Sequence, residues 1–455
     1  MIHAYKSNGY NIIIDVNSGC VHSVDEVAFD AIKNYTKMSK EELENYILTT
    51  HSGKITKEEF TELCEDIEQL KKEGKLFSED PFRDHAFDFK KRQSVIKAMC
   101  LHVAHDCNLA CKYCFAGDGE YCSKGLMSFE VGKAAFDYLI AHSGTRKNLE
   151  VDFFGGEPTL NFEVVKQLVG YGRSIEKQHN KNFRFTFTTN GVKVTDEIMD
   201  FCDKEMSNVV MSLDGRREVN DRMRVNKNGD GCYDKIVPIF QEWAQRRNQQ
   251  NYYIRGTYTK FNTDFASDII HMADLGFKEI SIEPVVASPN EPYALSYDDL
   301  ATLKEQYDIL AKEMIRREKK GEGFNFYHYM IDLEGGPCIV KRISGCGVGT
   351  EYMAVTPDGD IYPCHQFVGD EKFRMGNVFT GIENADICDE FKFCNVYAHE
   401  ECKDCFARLY CSGGCAANAY HSTGSIRGVY KLGCELHKKR IEAAIMMKVA
   451  LSEEE

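Results

Sequence analysis

No stretch of this 455-residue chain approaches the ~20 apolar residues that a membrane-spanning helix requires. The opening MIHAYKSNGYN lacks a charged segment followed by an apolar one, so it does not read as a signal peptide. These two absences imply a cytoplasmic protein with no membrane partner. Positive charge is scarce too: 56 Lys and Arg stand against 71 Asp and Glu, a formal net charge of −15. A nucleic-acid footprint needs a basic face, so nucleic acid is not an expected partner. There is no internal repeat and no low-complexity segment. The length suits roughly two to four domains around a sizeable core.

What the chain has in plenty is cysteine, with 19 residues. In a reducing compartment these are not a disulfide framework, and metal binding or chemistry is the better account. They are unevenly spread. Three fall within residues 107–114, and a dense group runs from Cys338 to Cys434. Cys20, Cys64, Cys202 and Cys232 suit the role of small buried apolar residues, but the clustered ones do not.

Residues 1–80 read as a separate module. Tyr10 to Val16 is a β-rich run, Asn17-Ser18-Gly19 a turn, and Val21 to Val24 a returning strand. Asp25 can cap a helix over Val27 to Tyr35. Ser39 with Glu42, and Thr56 with Glu59, are capping boxes. Phe60, Leu63, Ile67 and Leu70 recur at helical spacing. Gly74 ends that helix, and Lys75 to Phe77 is expected as a short strand. Hairpin, three helices and a strand describe a winged-helix-like unit. Residues 81–94 follow as a polar linker.

Residues 95–320 alternate strands with helices. The expected strands are Val95–Val103, Leu149–Phe154, Arg184–Thr188, Val209–Leu213, Tyr252–Thr259 and Glu279–Ile282. Six βα units at this spacing predict an α/β core with a parallel sheet, and six are too few for a closed eight-stranded barrel. A partial barrel is therefore expected. Its notable segments follow the strands, at the carboxyl ends where such folds place their sites. In residues 321–455 the alternation fades, and metal is expected to hold that region together.

Cys107, Cys111 and Cys114 lie in a CxxxCxxC loop after the first strand. Three thiolates can hold a [4Fe–4S] cube and leave one iron open, as four-cysteine carriers do not. A zinc site short of one ligand is the bland alternative. Gly155-Gly156-Glu157-Pro158 follows the second strand, where glycine admits close backbone approach and Glu157 can pair with an ammonium. Ser212-Leu-Asp-Gly215 and Asp221-Arg-Met-Arg224 follow the fourth. Arg224 presents a fork suited to a carboxylate. Thr189 and Asn190 line the same mouth without an assigned role. Further on stand Cys346, Cys364 at the end of a GxxxxC step from Gly359, then Cys402-x2-Cys405-x5-Cys411-x3-Cys415, and Cys434. A zinc ribbon on Cys402 and Cys405 would need a second CxxC pair, which is absent.

The cysteine loop, the GGEP turn and the SLDG…DxxR run together resemble the radical S-adenosylmethionine (SAM) superfamily. That resemblance implies a partial (β/α)6 barrel whose cluster, on Cys107, Cys111 and Cys114, binds SAM and cleaves it to a 5′-deoxyadenosyl radical. It places Tyr113 near the adenine, Gly155 to Pro158 with Glu157 at the methionine ammonium, and Ser212 and Arg224 at the carboxylate. The later cysteines resemble a SPASM domain with two auxiliary clusters, which makes three [4Fe–4S] clusters in all. By the family's wiring, Cys402, Cys405, Cys411 and Cys434 hold the outer one. Cys346, Cys364 and Cys415 hold the inner one, with Cys338 as a distant candidate for its fourth ligand. A three-cysteine inner cluster, open to a substrate thiolate, is the preferred expectation. The N-terminal module resembles PqqD-like elements, which bind a leader peptide as an added strand. The opening IHAYKSNGYNIIIDVNSGCVHSVD is similar to that of SCIFF-peptide maturases, of sactisynthase or ranthipeptide synthase type. The implied activity is thioether crosslinking of a ribosomally made, cysteine-rich precursor peptide, with flavodoxin or ferredoxin as electron donor. Carbon–carbon crosslinking, formylglycine-type oxidation and plain iron–sulfur electron transfer are the alternatives.

Overall fold

A computed structural model describes residues 1–84, 95–117, 119–121, 123–334 and 339–453. Most of the expected linker, and Cys338, lie outside the described residues. The chain opens with an antiparallel meander of β1 (Ile2–Ser7), β2 (Tyr10–Asp15) and β3 (Val21–Val24). The expected hairpin is present, and β1 is a further strand that the sequence reading passed over. Helices α1 (Glu26–Asn34), α2 (Lys40–Thr50) and α3 (Lys57–Lys72) follow. Asp25 caps the first by accepting from Ala28 N at 2.8 Å, and both predicted capping boxes form.

The strand alternation divides β2 between two cores. Ile13 packs with Phe29, Ile47, Phe60 and Ile67 under the three helices. Ile12 and Ile14, on the opposite face, join the core of the main body. The sheet is therefore covered on both sides. Lys75 to Phe77 form a bend rather than the expected strand. Leu76 is buried in the small core, Phe77 takes a left-handed φ of 53°, and Ser78 N donates to Asp15 Oδ2 at 2.9 Å. Tethered at both sides, the segment cannot run extended beside β3.

The main sheet contains β4 (Ala98–His105), β5 (Gly125–Leu126), β6 (Asn148–Gly155), β7 (Asn182–Thr189), β8 (Asn208–Ser212), β9 (Tyr252–Tyr258) and β10 (Glu279–Pro284). All six expected strands form, and they lie parallel in the order β4-β6-β7-β8-β9-β10. Helices α4 (Phe129–His142), α5 (Phe162–His179), α6 (Asp196–Glu205), α7 (Arg217–Met223), α8 (Tyr233–Arg246), α9 (Phe265–Asp274) and α10 (Leu300–Glu318) connect or follow them. A sequential order has no switch point, and right-handed crossovers put every helix on one face. That is the wall of an open barrel, not a doubly wound sheet.

The sheet is larger than six strands. β11 (Asn325–Phe326) adds in parallel to β10. At the other edge β12 (Tyr352–Val355) adds in parallel to β4, followed by antiparallel β13 (Asp360–Tyr362), β14 (Gly376–Asn377) and β15 (Gly381–Ile382). The cysteine-rich region is thus built onto the barrel wall beside the strand that carries the first cysteine loop. Met99, Leu101, Val103, Val151 and Phe153 face the helices and form the core. Cys100, His102 and Asp152 alternate to the opposite face, the interior of the open barrel. No described helix is long and apolar enough to cross a membrane.

Arg408 ties three segments together. Its side chain is 2% exposed and bonds Asp80 Oδ2 at 3.0 Å, Cys405 O at 3.2 Å and the Asn17 side chain. Asp80→Ala would strand a buried guanidinium, at a cost of about 3–5 kcal/mol. The expected result is a clear drop in the first thermal unfolding transition; an unchanged transition would refute this account.

Candidate active site

The loop after β4 is held from below. Ala110 N donates to Val225 O at 2.7 Å and Lys112 N to Met223 O at 2.9 Å, so the segment after α7 carries the loop. Leu109 N lies 3.4 Å from Cys107 Sγ, and Asn190 Nδ2 3.6 Å from the same sulfur. Burial pushes the Cys107 thiol up to about 11 and the Cys111 thiol up to about 12. Both are protonated at neutral pH until a metal centre displaces the proton.

Asp214 is the hub beside this loop. Fully buried, it accepts from the Tyr113 hydroxyl at 2.6 Å, Arg224 Nε at 3.0 Å and Thr257 N at 3.0 Å. Arg224 also lies over the Tyr113 ring, 5.6 Å from its centroid. The Nε bond leaves both terminal nitrogens of Arg224 without a protein partner among the described residues. Ser212 ends β8 level with Arg255 of β9.

Gly155 and Gly156 are required by close packing. A Cβ on Gly155 would lie 2.2 Å from Ala104 O, and one on Gly156 2.2 Å from Asp106 O. These contacts press the end of β6 against the cysteine loop. Glu157, 1% exposed, then turns into the interior. It accepts from Thr189 Oγ1 at 2.8 Å, Asn190 N at 2.8 Å and Thr159 N at 3.1 Å, and stitches β6 to β7. Pro158 starts a short 3₁₀ turn that leads into α5.

The later cysteines sort into two groups by mutual influence on their thiols. After burial, Cys402 is raised by Cys411, Cys434 and Cys405. Cys364, likewise, is raised by Cys415 and Cys346. Cys402 is thus grouped with Cys405, Cys411 and Cys434, and Cys364 with Cys346 and Cys415. Cys364 follows β13, Cys415 starts the helix Ala416–Thr423, and Cys434 lies in the helix Lys431–Ser452. Among the described residues no three His, Cys, Asp or Glu converge on a single metal ion. A cube spreads its thiolates over separate irons, and a set of soft thiol donors is the chemistry it requires.

Three features escaped the sequence reading. Asp214 stood inside the quoted SLDG run, but nothing local marked it as a buried hub. The contacts that tie Asn190 to Glu157 and Cys107 cross between strands, so its position at the mouth gave no sign of them. The interior wall of Arg255, Glu283, His328, His437 and Arg440 draws on β9, β10, the turn Tyr327–Tyr329 after β11 and the helix Lys431–Ser452, and no local pattern unites them. For the glycine pair, Gly156→Ala forces backbone apart at the cysteine loop. Iron and sulfide content of the reconstituted variant should fall well below wild type, while far-ultraviolet circular dichroism stays unchanged. Full cluster loading would contradict the packing argument.

Comparison with known proteins agrees with this arrangement. The family model described as the radical SAM superfamily matches residues 101–275, and that of the SPASM iron–sulfur cluster-binding domain matches residues 346–406. A cysteine-type anaerobic sulfatase-maturating enzyme of Clostridium novyi is 24% identical over 337 residues, covering 70% of this chain and 86% of the relative. The radical SAM cyclopropyl synthase TigE of Paramaledivibacter caminithermalis is 21% identical over 377 residues, covering 77% and 74%. Among solved structures, anSMEcpe with bound AdoMet and a peptide superposes with a TM-score of 0.64 at 21% identity, over 78% of this chain and 99% of its own. Streptococcus suis SuiB gives 0.51 at 18% identity, over 94% and 97%. These two likenesses establish the fold. The chain thus carries a radical SAM domain over residues 101–275 and a SPASM domain over residues 346–406.

Proposed function

We propose that this protein installs intramolecular thioether crosslinks, cysteine sulfur to carbon, in a ribosomally made, cysteine-rich precursor peptide. The observation that carries the reading is the placement of Tyr121. The Phe115 ring, beside Cys114, lies 6.0 Å from the Tyr121 ring and 5.6 Å from the ring of His365, the neighbour of Cys364, so Tyr121 sits where the first cysteine loop meets the inner SPASM group. One chamber is thereby bordered by both sets of thiols.

When bound, the clusters and SAM supply a 5′-deoxyadenosyl radical and an acceptor for the one electron released. In the net reaction a peptide carbon gives up a hydrogen atom, a peptide thiol gives up its proton, and the sulfur–carbon bond forms as that electron leaves. Cys107, Cys111 and Cys114 hold the SAM-binding cluster. Arg224 offers its free terminal nitrogens to the SAM carboxylate, with Ser212 beside it. Glu157 and the Gly155-Gly156 backbone take the ammonium side, and Tyr113 the adenine. Cys346, Cys364 and Cys415 provide three thiolates and leave the fourth position for a peptide cysteine. Cys402, Cys405, Cys411 and Cys434 complete the outer cluster, which a flavodoxin or ferredoxin-type donor would serve.

The N-terminal module receives the leader. Among the described residues its β3 is an edge strand with no strand paired to its outer side, the feature that β-strand addition uses. A second reading, formylglycine-type oxidation, accords with the sulfatase-maturating names among the relatives and needs a base on the chamber wall. Burial opposes the charge of Glu283, yet His328, Arg440 and Arg255 hold it at about 2, too weak a base. Asp152, which burial pushes up to about 6, is the group that reading would use.

Mass spectrometry of a co-expressed cysteine-rich peptide separates the two. Thioethers keep every sulfur and lose two hydrogens per bridge, resistant to reduction; formylglycine loses the sulfur. An unchanged or reducible product would defeat the crosslinking reading. Arg224→Lys keeps a cation beside Asp214 but loses the guanidinium fork, and should weaken SAM binding by about 10-fold at unchanged iron content, as measured by anaerobic equilibrium binding.

A further inference from the structure

Three neighbouring strands carry one row of polar groups on the chamber face. Register sets Ser212 of β8 level with Arg255 of β9, and Arg255 level with Ser281 of β10. Residues level on adjacent strands project to the same side. The flanking Ile254 and Tyr258 of β9 go into the helix-side core, so Arg255 points the other way, into the chamber. There it lies within electrostatic reach of Glu283, His328 and His365.

Arg255 is exposed, and among the described residues it makes no close ion pair; Glu283 feels its charge only alongside those of His328 and Arg440. Its neighbours are already engaged. Glu283 Oε2 accepts from Arg440 Nη1 at 3.2 Å, and Glu283 Oε1 lies 3.2 Å from His328 Nε2. His328 Nε2 also meets Ser281 Oγ at 3.2 Å. Asp214 is matched to Arg224. Among the described residues, Arg255 and Arg440 therefore share the one carboxylate of Glu283 on this wall, and one guanidinium is in excess. In a chain of net charge −15 acid is plentiful, yet among the described residues none forms an ion pair with it. A guanidinium fork between two hydroxyl-bearing residues is matched in geometry to a carboxylate.

We infer that Arg255, flanked by Ser212 and Ser281, is a carboxylate-binding residue of the chamber. The inference rests on reading that chamber as the reaction site. A carboxylate could reach it from two sources: the methionine moiety of SAM, whose expected neighbour Ser212 shares the row, or an acidic side chain of the bound peptide.

The test uses reconstituted full-length protein with Arg255→Gln and Arg255→Lys. SAM affinity is measured by anaerobic equilibrium binding. Affinity is also measured for a cysteine-rich precursor peptide in its native form and with every Asp and Glu changed to the amide. A loss of about 10- to 100-fold in SAM affinity in Arg255→Gln, partly restored by Arg255→Lys and at unchanged iron content, supports the SAM carboxylate. Unchanged SAM affinity, with a similar loss for the native peptide that vanishes for its amide form, supports the peptide carboxylate. If both affinities stay within roughly twofold of wild type, the inference is overturned. Wild-type SAM cleavage in the same preparation reports separately on the underlying reading, since 5′-deoxyadenosine forms or fails to form whatever Arg255 does.

Discussion

The buried carboxylate of Asp214 is the interaction on which the site depends. A charge in that position must be paired, or the chain bears a desolvation penalty of several kcal/mol. Its partners come from three separate parts of the chain: Tyr113 in the cysteine loop, Arg224 after α7, and the backbone of Thr257 on β9. Satisfying one anion therefore brings the loop, the guanidinium and the barrel wall into one geometry. The backbone bonds from Ala110 and Lys112 to the Met223–Val225 segment repeat the same link without charge. Because Arg224 spends only Nε on Asp214, its outer edge is held in place yet left available.

The glycine pair acts from the other side. Gly155 and Gly156 let the end of β6 lie against the cysteine loop at a separation no side chain would tolerate. Glu157 then anchors β7 through Thr189 and Asn190, and Asn190 reaches back to Cys107. The loop is thus clamped between a carboxylate hub and a glycine contact. That rigidity suits a loop whose three thiols would have to keep their spacing to hold an iron–sulfur cluster.

The N-terminal module is bonded into the whole and not merely tethered to it. The His3 ring stacks on Phe406 at 3.6 Å, the Tyr5 hydroxyl donates to Glu442 O at 2.9 Å, and Ser7 Oγ to Asp308 Oδ1 at 3.0 Å. Phe406 adjoins Cys405, and Glu442 lies in the helix that carries Cys434. A peptide strand added to β3 would lie on a sheet whose opposite face is already part of the main core. Binding there adds to a rigid element and need not order a loose domain.

The sequence alone determined the features that depend on local rules. Strands from apolar runs, helix starts from Asp25, Ser39 and Thr56, and the cysteine spacings all rest on residues a few positions apart, so their signals are contiguous. Where local rules misled, at Lys75 to Phe77, a long-range tie to Asp15 overrode a short β-like pattern. Tertiary structure decided what no window could contain. It joined β12 to β4, so that the cysteine-rich region shares a sheet with the barrel. It buried Asp214 among three distant partners. It also aligned Ser212, Arg255 and Ser281, which lie on separate strands, into one row. Register and burial arise only when strands far apart in the chain pair, and that pairing is set by the packing of the whole sheet rather than by any one segment.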